Sequence, residues 1–241
     1  MILSFSRQKL METCRLAGLS VSGTKAQMAQ NLLLKWSDLD RAPLTRRVVA
    51  IDLGLRNLGY ICADTHADKV HVKEWESLDM ELPTRYDPLA YATACKNKLL
   101  DRVLAAEPTD ILIEEQSWRS VAGHGLLIPQ TILKLRSLES LLIGMLLVRI
   151  PGDCRLSSIS PKTVSETLIP SNTDKSIPRY QFKKKASVAL VSNWIDSNQV
   201  SLSKNALANY QKASKRDDLC DCLLMVQSWV RWNQNLQSLL S

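Results

Sequence analysis

Apolar residues recur at helical spacing near the start of the chain: Leu10, Cys14 and Ala17, then Met28, Leu32 and Leu33. The run Gly18-Leu19-Ser20-Val21-Ser22-Gly23 divides them, and Thr24 to Trp36 restarts as a helix. Residues 1–36 therefore form a helix–turn–helix unit too small to fold strongly alone. Residues 37–46 are polar, contain Pro43 and read as a linker. From Arg47 the pattern changes. Val48-Val49-Ala50-Ile51-Asp52-Leu53 is a β-branched apolar run with a carboxylate near its end, the mark of a buried strand. Leu58 to Ala63 and Lys69 to Trp75 add two strands of a meander. Asp87 to Ala106 repeats Leu89, Ala92, Cys95, Leu99 and Val103 on one helical face. Asp110 to Glu114 is a short strand, Gln130 to Val148 a long helix and Cys154 to Ile159 a strand. Ser160 caps a helix opened by Pro161. Asn172 to Gln181 is a polar loop, and helices follow at Phe182–Ile195 and Arg216–Trp232. The order βββαβαβαα predicts an α/β domain over residues 47–241: a mixed five-stranded sheet flanked by helices.

Length and charge narrow the class. The 241 residues can bury one substantial core. No window approaches a membrane span; the most apolar stretch, Leu141 to Val148, is short and follows Arg136 and Glu139. The net charge of +7 favours polyanionic partners without specifying one. Six cysteines lie scattered in hydrophobic segments with no CxxC, and none of the three histidines completes a zinc pattern. They read as reduced, buried thiols. Residues 1–15 hold Arg7, Lys9 and Arg15 against Glu12 and merge directly into a helix, so no cleavable leader is obvious.

Acidic residues fall where chemistry could use them. Asp52 ends the first strand, Glu114 ends the fourth, and Asp217, Asp218 and Asp221 open the last helix. Adjacent strands would bring Asp52 near Glu114. Asp218 and Asp221 are i and i+3, Asp217 and Asp221 i and i+4, so either pair shares a helix face. Asp221 sits within the apolar run Leu219-Cys-Asp-Cys-Leu-Leu-Met, where a carboxylate needs a partner. Crowded carboxylates repel. Mg²⁺, which takes hard oxygen ligands, resolves the conflict, and two ions ~4 Å apart can drive phosphodiester hydrolysis.

These residues carry a resemblance. Ile51-Asp52-Leu53-Gly54 with Asn57-Leu58-Gly59 resembles the first-strand motif of RuvC-like resolvases. Ile113-Glu114-Glu115-Gln116 is similar to their fourth-strand motif, and Asp218-x-x-Asp221-Cys222-Leu223 to their terminal helix. Cys222 stands where alanine is usual, a difference of packing. Leu10 to Leu33, with Gly18 to Lys25 at its turn, is similar to a SAP-type DNA-binding motif. The combination covers nearly the whole chain and resembles the fungal mitochondrial Holliday junction resolvases of the RNase H-like superfamily. The resemblance implies a mitochondrial homodimer that nicks four-way DNA junctions symmetrically, using Mg²⁺ or Mn²⁺ and no small-molecule cofactor. Asp52, Glu114, Asp218 and Asp221 would be its metal-binding acids, with Asp217 competing for the third role.

Candidate DNA contacts are Lys183, Lys184 and Lys185 at a helix start, Lys162 after Ser160-Pro161, Lys215 and Arg216 before the acids, Lys25 in the N-terminal unit, and Gln116 and Arg119 beyond the catalytic strand. Trp118 and His124 belong to the same loop. The helix Thr131 to Leu147 is apolar around more than one face, as a core helix or a dimer contact would be. Two alternatives stay open: a non-catalytic DNA-binding protein on this fold, and another RNase H-like nuclease. An actin-like ATPase shares the strand order, but Leu55-Arg56-Asn57 follows the first glycine and no second phosphate loop exists.

Overall fold

The computed structural model of the chain describes residues 2–40, 43, 45–116, 130–170, 178–213 and 215–240. Its strands are β1 (Thr45–Asp52), β2 (Leu58–His66), β3 (Lys69–Leu78), β4 (Asp110–Glu114), β5 (Arg155–Ile159) and β6 (Val200–Leu202). They form one mixed sheet ordered β5-β4-β1-β2-β3-β6. The meander is antiparallel, while β4 and β5 add in parallel on one side and β6 in parallel on the other. The expected five strands are thus six. β6 spans three residues and has no pattern of its own. It exists because β3 offers an edge, and the His71 Nδ1–Ser201 Oγ hydrogen bond (2.8 Å) fastens it there.

Alternation along the central strands divides the core. Val48 and Ala50 of β1 and Leu112 of β4 face one layer of helices. Val49, Ile51, Ile111 and Ile113 face the other. The first layer is α6 (Pro161–Leu168), α7 (Arg179–Asp196), α8 (Lys204–Lys212) and α9 (Arg216–Leu240). The second is α5 (Gln130–Arg149) with the helical run after Asp87. That run is not one regular helix. It comprises α3 (Pro88–Ala94), a π-helical stretch (Cys95–Leu100) and α4 (Asp101–Ala105). Ser160 occupies the cap position of α6 in extended conformation, but its hydroxyl makes no cap bond. α7 begins at Arg179, ahead of the predicted Phe182, and α9 continues past Trp232. α8 escaped prediction although Ser203 caps it, accepting from Ala206 N–H at 3.1 Å. All six cysteines are free and buried. Among the described residues no helix is long and apolar enough to cross a membrane.

The N-terminal helices are α1 (Arg7–Leu16) and α2 (Lys25–Asp40). Thr24 and Gln27 form a reciprocal capping box at the start of α2. The predicted linker shrinks, because α2 runs to Asp40 and β1 opens at Thr45. Nor does the pair hang free. Leu236 of α9 completes its core of Leu10, Cys14, Met28 and Leu32. Gly18, at φ +67°, lies so close to α9 that a Cβ would sit 2.1 Å from the Trp232 ring. Lys35 Nζ donates to Ala17 O (2.7 Å), Asn235 Nδ2 to Leu16 O (2.9 Å) and Arg155 Nη1 to Asp38 O (2.7 Å). Two helices too small to stabilise themselves borrow the end of α9 as a third.

Candidate active site

Asp52 and Glu114 follow Ala50 and Leu112 by two residues, so both carboxylates emerge on the sheet face covered by α9. The parallel register pairs Ala50 with Leu112 and Ile51 with Ile113, and its next step sets Asp52 beside Glu114. α9 begins over the same point. Its approach depends on Gly59, the β2 partner of Asp52. A Cβ at Gly59 would lie 2.6 Å from Cys222 Sγ, 2.8 Å from the Asp218 carbonyl and 3.3 Å from Asp52 Cβ. No larger residue lets the acid-bearing turn of α9 sit down on the sheet. Trp75 holds that turn from β3, donating Nε1–H to Leu219 O (2.9 Å) while its ring stacks on Tyr210 (4.7 Å, 3°).

The electrostatics are those of carboxylates short of cations. Burial pushes Glu114 well above the usual carboxylate range, and its hydrogen bond and repulsion with Asp52, then Asp221, add to the effect. Burial, followed by repulsion from Asp52, Asp217 and Asp218, pushes Asp221 up to about 7. Asp218 is raised by burial and by Asp217 and Asp52. Asp217 differs. Burial pulls it upward too, but the Lys184 ammonium bonded to it overrides this, and its carboxyl lies below the usual range.

A cavity of about 170 Å³ joins these groups. Glu114, Asp217, Asp218 and Asp221 line it on one side, Lys183, Lys184 and Tyr180 on another, with Val164, Leu224 and Met225 as apolar wall. The donor set suits a hard divalent cation: carboxylate oxygens only, with the Cys222 thiol fully buried against Gly59. Among the described residues no three His, Cys, Asp or Glu side chains are drawn together closely enough to grip an ion as they stand. Without a counter-charge that is the expected arrangement, since crowded carboxylates repel and burial favours the neutral form of Glu114.

The other predicted residues scatter. The lysine triplet splits: Lys183 and Lys184 line the cavity and Lys185 is exposed away from it. Lys162 is 76% exposed beside Glu166 (3.7 Å). Lys215 and Arg216 are exposed, Arg216 lying over the Tyr210 ring at 5.3 Å. Lys25 is exposed at the start of α2, on a different part of the surface from the cavity lining. Gln116 is half-buried, donating Nε2–H to Glu114 O and its backbone N–H to Glu139, both at 3.4 Å. Glu115 is exposed. Arg119, Trp118 and His124 lie outside the described residues. Tyr180 went unforeseen, and so did the pairing of Lys184 with Asp217, two residues predicted for separate roles. The i, i+4 spacing of Tyr180 and Lys184 on α7 was the signal for Tyr180; the pairing across 33 residues had none.

Comparison with known proteins agrees with this geometry. A family model described as mitochondrial resolvase Ydc2 / RNA splicing MRS1 matches residues 48–211, a span that carries Asp52 and Glu114 and stops short of α9. The chain is 29% identical to the mitochondrial cruciform cutting endonuclease 1 of Schizosaccharomyces pombe, over 95% of this chain and 92% of that protein. The crystal structure of the yeast mitochondrial Holliday junction resolvase Ydc2 superposes with a TM-score of 0.70 at 26% identity, covering 97% of this chain and 95% of that one. RuvC of T. thermophilus shares the fold, with a TM-score of 0.50 at 13% identity over 77% of this chain and 95% of its own. With its topology, its acids and a family match over most of its length, the chain belongs to the family described as mitochondrial resolvase Ydc2 / RNA splicing MRS1, on an RNase H-like, RuvC-type fold.

Proposed function

We propose that this protein is a mitochondrial endonuclease that resolves four-way DNA junctions by paired, symmetric, metal-dependent nicks. The observation that carries this is the convergence of Glu114, Asp218 and Asp221 on one cavity, with Asp52 of β1 beside Glu114 and with Lys183 and Lys184 set against them. The relatives named above as a cruciform cutting endonuclease and a Holliday junction resolvase, both mitochondrial, support the substrate and the location.

Asp52, Glu114, Asp218 and Asp221 would hold Mg²⁺ or Mn²⁺, as a pair of ions. The metal supplies Lewis-acid polarisation of the scissile phosphate and activation of water. Asp217 is left outside the ligand set because Lys184 already claims it. Lys183, next to Glu114 and Asp221, limits the repulsion among the acids and draws the phosphodiester toward them. Lys162, Lys185, Lys215 and Arg216 stand exposed and would meet backbone phosphates, and Lys25 of the SAP-like α1–α2 unit would meet a more distant arm.

Symmetric nicking of a nearly two-fold substrate calls for a two-fold protein. The contact is assigned to α5, which buries Leu138, Leu142 and Leu146 against the sheet yet leaves Leu147 63% and Val148 82% exposed. Val148 borders an apolar groove shared with Leu100, Leu141 and Met145.

The test is nicking of a synthetic four-way junction against linear duplex and RNA–DNA hybrid, with Mg²⁺ or EDTA, by the wild type and Asp52→Asn. Paired nicks on the junction alone, lost in EDTA and in a variant that still binds, are expected. Junction binding without cutting would move the protein to an architectural role, and preference for the hybrid to another nuclease activity. The family description also includes an RNA splicing protein, so a branched RNA serves as competitor.

A further inference from the structure

Tyr180 is 68% exposed, against 40% for Tyr86, the other strongly exposed aromatic among the described residues. Tyr86 has a ring partner, lying edge-on to Tyr91 at 4.9 Å. Tyr180 instead stands at the rim of the catalytic cavity, lining it together with Glu114, Asp218 and Asp221. Its position is braced. The Lys184 ammonium lies 4.9 Å from the ring centre and is itself bonded to Asp217 in the first turn of α9. One ring face is occupied by that cation, and most of the remaining surface meets solvent. Arg179 precedes it on α7 and Lys183 lines the same cavity, with charge suited to a polyanion. An amphipathic ring uncovered beside a phosphodiester-cleaving centre is unsuited to packing and well suited to stacking on a base.

We propose that Tyr180 is a stacking platform for an unpaired nucleobase beside the scissile phosphate, and so helps to choose where the branched DNA is cut. This rests on the nuclease reading above. At a branch point base stacking is interrupted, and a base there can be turned out more cheaply than one within a duplex. Every base has a π-face, so the ring gives affinity to any of them. Preference among them follows from how strongly each stacks. The cut site would thereby be selected by the residue on α7, while the acids on β1, β4 and α9 perform the cut.

The experiment uses the full-length protein and four-way junctions carrying 2-aminopurine singly at each nucleotide flanking the branch. In EDTA, where no cutting occurs, wild type and Tyr180→Phe are expected to change the emission at one flanking position, and Tyr180→Leu to leave it unchanged. In Mg²⁺, Tyr180→Leu is expected to cut about tenfold more slowly and to spread its nicks over neighbouring phosphates, whereas Tyr180→Phe keeps the wild-type cut position. An unchanged melting temperature for Tyr180→Leu separates this from misfolding. The proposal is overturned if Tyr180→Leu gives the wild-type emission profile and cut map. It is equally overturned if cutting slows while emission and cut position stay the same, since the ring would then serve only to hold Lys184. A wild type that nicks no branched DNA defeats the nuclease reading instead, and the emission measurement still decides the stacking.

Discussion

Strand β4 carries a buried carboxylate at its start and a half-buried one at its end, in opposite surroundings. Asp110, 2% exposed, accepts from both Nε (2.8 Å) and Nη2 of Arg46, from Arg155 Nε (3.1 Å) and from the Thr109 hydroxyl (2.7 Å). Arg46 in turn lies on the Trp229 ring at 4.2 Å. Glu114 faces Asp52 and Asp221, with Lys183 the nearby cation. Both groups are at least half withdrawn from water, at the two ends of the same strand. The first is complete, because its charge is neutralised in fixed geometry. The second is not, and needs a proton or a metal ion to become so. Burial alone therefore marks neither structure nor site; the sign of the neighbours does.

The largest expected effect breaks the comparison at the Glu114 end. Asp52→Asn and Glu114→Gln should each lose several kcal/mol of transition-state stabilisation, on the order of 10³-fold in nicking rate. Junction binding in EDTA should persist by gel shift. A variant that merely melts earlier and still nicks would place these acids with Asp110. The mirror experiment is Asp110→Asn, which strands two guanidinium groups. It should destabilise the fold by about 3–5 kcal/mol in denaturant unfolding, while the folded fraction nicks normally. Next comes Gly59→Ala, which lifts α9 from Asp52. A displacement of this kind costs on the order of 10²-fold in rate, and single-turnover kinetics with melting curves would show activity falling further than stability. Smallest is a stability effect. In the metal-free protein Asp221 prefers its proton up to about pH 7. Its destabilising contribution is absent below the ordinary carboxylate range, grows as pH rises through it and is complete above about 7. Asp221→Asn should therefore raise the melting temperature at pH 8 by roughly 2–8 °C, equivalent to about 1–2 kcal/mol, and change it little at pH 4. Equal melting at pH 8 would mean that the carboxylate is satisfied as Asp110 is.

Much of the site could be read from linear order. β4 forms over the predicted residues, Glu114 and Asp221 line one cavity, and Asp52 ends the neighbouring strand β1, as strand alternation and helix spacing suggest. The choice between Asp217 and Asp218 could not be read, because both open the same helix turn. In the structure the two differ in the ion pair that Asp217 makes with Lys184 of α7, and the proposed ligand set rests on it. The lysine triplet looked uniform, yet helix rotation sends Lys183 and Lys184 into the cavity and Lys185 outward.

What the sequence determined by itself was whatever repeats locally: the period-two strands that split a core between two faces, the period-3.6 helices, and carboxylates at fixed offsets along them. Tertiary structure decided everything that depends on which distant segments meet. β6 exists only at the edge of β3, and α1 and α2 are ordered against Trp232 and Leu236 at the far end of α9. The ionisation of each acid depends on neighbours many residues away. Periodicity is a property of the chain, whereas charge environment and close approach are properties of space, and one missing Cβ at Gly59 brings the two halves of the site together.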